Sequence, residues 1–405
     1  MKKVLLIVCL VFIIWFFSSL TLLPEIQRKE HTSSQHFSYL ARDFLKGQLY
    51  FSNVPMKGFD SVLVGDRYYW PLGPFPAVLL TPYVLISMPF NVLPTQVIPQ
   101  IVLTIGIGIL VFLLAKKVGY HIHDQLYFAL AFCVGTGFLM IYLTPSSWYF
   151  AHVVTVFLLF LALYEYLHKK RYWLIGIVMG LVLATRITAG FGSIFFILEI
   201  VRNSSGSFKE KLKPLGQLLL PFVLIFALLC MYNFVRFGTF LDQGYTQSLT
   251  YIDAHKVARD HGLYGWIHVP GNLYHMFLKA PEPVFKELPS HIMSFPFIKL
   301  DYWGIGIFFT SGYLVTLFFL DYRKKILQHL LIATIVIAIP IIFYYSIGYS
   351  QLVYRYAFDF MPFVFLLFMI GYKEKHPELS TRMQIALLCA CIFNSYLWIT
   401  MTLLK

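Results

Sequence analysis

Three arginines stand at the ends of apolar segments: Arg186 in Ala184-Thr185-Arg186-Ile187-Thr188, Arg236 in Tyr232-Asn233-Phe234-Val235-Arg236-Phe237-Gly238, and Arg355 in Tyr354-Arg355-Tyr356-Ala357-Phe358-Asp359-Phe360. Guanidinium forks match phosphate oxygens and stay charged when desolvated, so a membrane-embedded phosphate is the ligand such residues fit together. Singly, each has a plainer reading. Arg186 and Arg236 can anchor at lipid headgroups, and Arg355 can pair with Asp359 four residues on along a helix. His152 lies one turn after Trp148-Tyr149 and reads as a ligand contact or a hydrogen-bonded core group. Asp60 follows Gly58-Phe59 and has no evident structural duty, whereas Asp66, in Gly65-Asp66, reads as a turn residue. A carboxylate within hydrogen-bond reach of an acceptor hydroxyl can take its proton, and Asp60 is the candidate.

The elements that must hold these residues are membrane spans. Of 405 residues, 59% are hydrophobic and only 13% charged, which no soluble domain of this size could keep from water. The net charge of +13 comes from basic residues clustered at the ends of apolar runs. They serve as topology signals and headgroup contacts, so nucleic acid is excluded as a partner. The five cysteines lie inside apolar segments without metal-ligand spacing, and no metal or cofactor is expected.

With the amino terminus in the cytoplasm, an uncleaved first span runs from Val4 to about Leu23. The positive-inside rule then places Lys116-Lys117, His168-Lys169-Lys170-Arg171, Arg202, Asp321-Tyr322-Arg323-Lys324-Lys325 and Lys373-Glu374-Lys375 on the cytoplasmic side. The expectation is an all-α polytopic protein of the cell membrane forming one domain over 1–405. It would have about eleven spans of roughly twenty residues. These include single spans over Leu126 to Leu143 and Leu218 to Met231, a short out-and-back pair flanking Arg186, and an inward span ending at Asp321. The first extracytoplasmic loop, 24–96, carries an amphipathic interfacial helix with Phe37, Leu40, Ala41, Phe44 and Leu45 on one face, capped by Ser33 or Ser34 and ended by Gly47. A tight hairpin follows over 61–70. After it comes a proline-rich segment, Ala77 to Leu93, read as re-entrant or surface-lying because its prolines interrupt a spanning helix. A second large external segment covers 232–302. The sequon at Asn203-Ser204-Ser205 falls on the cytoplasmic side and should be unused.

Several stretches resemble the bacterial membrane glycosyltransferases of the GT-C fold, relatives of protein O-mannosyltransferases and of the lipid A aminoarabinose transferase. These stretches are His36 through Gly47, Asp60 through Gly65, Tyr68 through Ala77, Trp148-Tyr149-Phe150-Ala151-His152, Ala184-Thr185-Arg186, Tyr232 through Gly238, and Arg355 through Pro362. The resemblance implies a GT-C bundle that moves a sugar from a polyprenyl-phosphate donor to an extracytoplasmic glycan, lipid or protein acceptor with inversion. It implies a first-loop acidic residue as base. Many relatives carry an acidic pair soon after the first span. This chain has only the separated Glu25 and Glu30, so the base falls to Asp60, with Glu30 second. Arg186, Arg236 and Arg355 would hold the donor phosphate, stabilising its charge without a divalent metal. Tyr68, Tyr69, Trp148, His152, Tyr356 and Asp359 would contact substrate. The rival readings are a transporter or flippase of a lipid-linked saccharide, and an oligosaccharide polymerase or ligase.

Overall fold

Apolar runs of about twenty residues bounded by charge fold as helices that satisfy every backbone polar group internally, the condition for lying in lipid. The structure is a computed structural model describing residues 34–203, 208–250, 252–287 and 289–402, together with Cys9, Val11, Ile13, Ile14 and Phe16. The expected first span, Glu25, Glu30 and Ser204-Ser205 of the sequon otherwise lie outside the described residues. Five described helices are long and apolar enough to cross a bilayer: α3 (Val97–Val118), α6 (Ser147–His168), α10 (Phe208–Phe237), α14 (Lys325–Phe343) and α16 (Thr381–Thr402). The protein is a multi-pass membrane protein. Helix α6 is its central helix, packed by α3 and by α7 (Tyr172–Leu183), while α10 lies at the periphery with Leu220, Val223, Leu224 and Leu228 exposed.

The remaining expected spans are shorter or broken. The run Leu126 to Leu143 divides into α4 (Ile122–Cys133) and α5 (Phe138–Tyr142). Thr136 splits them: its hydroxyl donates to the Phe132 carbonyl at 2.7 Å and accepts from the Phe138 amide at 3.0 Å, replacing helix bonds. The pair flanking Arg186 is α7, then the single turn α8 (Ile187–Gly190), then α9 (Ser193–Asn203). Before Asp321 the chain forms only α13 (Ile307–Thr310) and a 3₁₀ segment, Gly312–Phe319. Helix α10 is longer than expected and carries Arg236 in its last turn, and the segment after it holds the short helices α11 (Asp253–Asp260) and α12 (Val269–Leu273). Helix α15 (Met361–Lys375) starts after a 3₁₀ turn, Arg355–Asp359.

In the first loop, α1 (His36–Leu45) forms where the apolar spacing placed it, but it is a core helix. Its Phe37, Leu40 and Ala41 are fully buried, with Phe37 edge-on to Trp70 at 5.9 Å, and Asp43 is also buried, accepting from the Ser52 amide and hydroxyl. No serine caps it. Gln35 holds the N-cap position without a capping bond, because its side chain is spent bridging the Pro145 carbonyl and the Gln96 amide. The hairpin forms as β1 (Val62–Val64) and β2 (Arg67–Tyr69), with Val64 opposite Arg67 across the Gly65-Asp66 turn. The proline-rich segment is a continuous helix through Pro82, α2 (Phe75–Ser87), and at 13 residues it is too short to span.

The basic clusters collect at one end of the bundle. Lys117 meets His168, Lys324 pairs with Glu374, and His121 pairs with Glu378 at 3.1 Å. The amino terminus of α6 and the carboxyl terminus of α14 lie at the other end, where the candidate site forms.

Candidate functional site

Asp60 is held by backbone on both sides. Its amide donates to the Leu249 carbonyl at 2.8 Å, and the Leu249 amide donates back to Ser61 at 2.9 Å. Met56, Lys57, Gly58 and Asp60 all have left-handed φ, and Asp60 stands at φ 55°. Such conformations cost energy in non-glycine residues and persist where the surroundings enforce them. The result aims the Asp60 carboxyl into a cavity, toward the Trp148 indole and the Arg355 guanidinium. Burial pushes it up to about 6, against the opposing pull of Arg355 and the Trp148 hydrogen bond. Trp148 is in turn fixed by packing: His36 lies edge-on to it at 5.0 Å and stacks on Trp70 at 4.0 Å. Burial lowers the His36 imidazole to about 3, so that ring is neutral.

The second wall is built around Asp359, which is fully buried. Arg186 grips it with two nitrogens, Nε at 2.5 Å and Nη2 at 2.9 Å; Thr188 donates to it at 2.5 Å and His152 Nδ1 lies 3.5 Å away. The plainer alternative, a helical pair of Arg355 with Asp359, does not form. Both sit on a 3₁₀ turn, whose three residues per turn put positions four apart on different faces. Arg355 instead donates to the Tyr349 carbonyl at 3.1 Å. The Tyr356 ring is within reach of both guanidinium groups, 5.4 Å from Arg186 and 5.3 Å from Arg355.

Asp60, Trp148, Arg186, Arg355 and Tyr356 all line one cavity of about 400 Å³. His152 and Asp359 stand behind its wall and act on it through Arg186. The other expected residues are elsewhere. Arg236 is buried with its guanidinium committed to the Trp70 carbonyl at 2.7 Å and to Asn233 at 2.9 Å, over the Tyr232 ring. It clamps the end of α10 to the hairpin and does not reach the cavity. Tyr69 packs edge-on to Phe237, Tyr68 lies against Gly58, and Glu30 lies outside the described residues.

The cavity also recruits residues that sequence reasoning passed over: Tyr245, His255, Tyr344, Tyr345 and Ser346. Burial, with Arg355 next, lowers the His255 imidazole, and its Nε2 lies 3.3 Å from the Ser346 hydroxyl. Burial raises Tyr245 and pushes Tyr345 up to about 12, so both hydroxyls remain protonated donors. The Tyr344-Tyr345 pair closing an apolar helix was the available signal, hidden among ordinary interfacial aromatics. Among the described residues, no group of three or more His, Cys, Asp or Glu gathers as a metal site.

The fold is similar to that of a solved archaeal oligosaccharyltransferase. The archaeal oligosaccharyltransferase AglB from Archaeoglobus fulgidus, in complex with an inhibitory peptide and a dolichol-phosphate, superposes at a TM-score of 0.50 with 12% identity, over 96% of this chain and 55% of that one. The apo oligosaccharyltransferase of the same organism gives 0.49 at 13% identity, again over 96% and 55%. The chain therefore spans about half the length of these structures. No family model and no curated protein matches the sequence.

Proposed function

We propose that this protein is a membrane glycosyltransferase that moves a sugar from a polyprenyl-phosphate donor to an acceptor on the extracytoplasmic side, with Asp60 as general base. The observation that carries the reading is the pairing of Asp60 and Arg355 in one cavity: a carboxylate able to take a proton faces a cation able to hold a leaving phosphate. Arg186 plays a lesser part, since Asp359 already neutralises it. It orients Tyr356 and offers its remaining donors to the phosphate edge. Tyr245 and Tyr345 offer neutral donors to sugar or phosphate oxygens. The collection of basic clusters at the opposite end supports the orientation. The AglB structure, which has this fold and is described with a dolichol-phosphate, supports a lipid-linked donor.

The reaction is a displacement at the anomeric carbon. Asp60 accepts the acceptor's proton as its oxygen attacks, the glycosidic bond to phosphate breaks, and the electron pair leaves on a phosphate oxygen facing Arg355. The test is transfer from radiolabelled polyprenyl-phosphate sugars by the purified protein. Failure with every donor, alongside lipid-flipping activity, would favour the transporter reading.

A further inference from the structure

The long segment after α10 contains a second hairpin, β3 (Glu282–Phe285) paired antiparallel with β4 (Met293–Lys299). Along β4 the side chains alternate. Ser294, Pro296 and Ile298 are half-buried, and Ile298 packs on the core; Met293, Phe295 and Phe297 are exposed by 42%, 59% and 50%. Phe285, opposite Met293, adds a fourth apolar side chain to the exposed face. Water would make this face unfavourable, as an aromatic strip on a two-stranded hairpin with no described residue over it.

What covers it follows from what lies beneath. The Tyr396 hydroxyl of α16 donates to the Pro296 carbonyl. Ile392, Tyr396 and Ile399 share one face of that spanning helix, and Ile385, Ile392 and Ile399 are all exposed, a stripe that must meet lipid. The hairpin thus meets α16 at Tyr396, beside that uncovered stripe, with its aromatic side opposite the half-buried side of β4. The charges are confined to the ends of the strands. Lys279, Glu282, Lys299 and Asp301 pair among themselves at the root.

We propose that the 282–299 hairpin is an interfacial membrane anchor, its Phe285, Met293, Phe295 and Phe297 face buried in the bilayer beside α16. Its partner is the lipid surface. Beyond β4 the chain passes to Tyr302 and Trp303, which pack on Tyr349 at 5.5 Å and 5.3 Å, and Tyr349 holds Arg355. The anchor therefore ties bilayer position to one wall of the cavity. The inference does not rest on the transfer reading, because its test reads lipid contact alone.

The experiment uses the full-length protein in nanodiscs, one copy per disc, with the native cysteines replaced and an environment-sensitive fluorophore on Phe297→Cys. Phe295→Cys provides an independent position, and Asp66→Cys, at the tip of the first hairpin, provides the aqueous reference. Quenching by lipids spin-labelled near the headgroup should exceed quenching by aqueous iodide several-fold at positions 295 and 297, and the order should reverse at 66. Iodide quenching at 295 and 297 as strong as at 66 would overturn the proposal. So would shielding that develops only with two copies per disc, which would assign the face to a second copy of the chain.

Discussion

Burial of Asp60 sets a pH dependence. A carboxyl raised to about 6 is protonated below that pH and cannot accept a proton, so transfer should fall as pH drops through about 6, roughly tenfold per unit further down. A pH–rate profile checks this, and Asp60→Asn should cut transfer by about 10²–10⁴-fold, removing the acidic limb from whatever activity remains. The two cavity arginines should separate by assay. Arg355→Ala should raise the donor KM with little change in thermal unfolding. Arg186→Ala leaves Asp359 buried and unpaired, costing about 3–5 kcal/mol, visible as a lower unfolding temperature. The place of Asp60 in the cavity had a signal in the sequence, a carboxylate after Gly58-Phe59 with no structural task. Arg236 was misread because its environment is made by the Trp70 carbonyl, 166 residues away, which no local pattern reveals.

The elements meet at a few close approaches that position the site. Gly73 sits against the turn bearing Arg186, and a Cβ there would lie 2.1 Å from the Ala184 carbonyl oxygen, while the Phe75 amide donates to that same oxygen at 3.1 Å. Gly73→Ala should therefore cost about 1–3 kcal/mol in a thermal or denaturant unfolding measurement and shift Arg186 away from Asp359. The first hairpin could be read directly, since Gly65-Asp66 between two alternating runs specifies its turn. The α1 helix could be read from its spacing, but not its burial, because an amphipathic pattern is the same whether protein or lipid covers it. The break at Thr136 was invisible for a related reason: threonine continues or interrupts a helix according to which backbone groups its hydroxyl finds.

At the scale of the whole molecule, composition established a membrane protein and the basic clusters separated its two ends. The number of spans was less legible, because short and broken helices carry the same hydropathy as full ones. Sidedness has its own test. A cysteine at Asp66 should react with a membrane-impermeant reagent on intact cells, and one at Lys170 only after lysis; the reverse pattern would invert the topology. The most direct measurement of the central claim is sugar transfer by the purified protein from a panel of radiolabelled polyprenyl-phosphate sugars to an envelope acceptor fraction, with Asp60→Asn alongside. Label should reach the acceptor with the natural sequence and not with Asp60→Asn. Equal transfer by both, with Asp60→Asn folded, would contradict the assignment of Asp60 as the base.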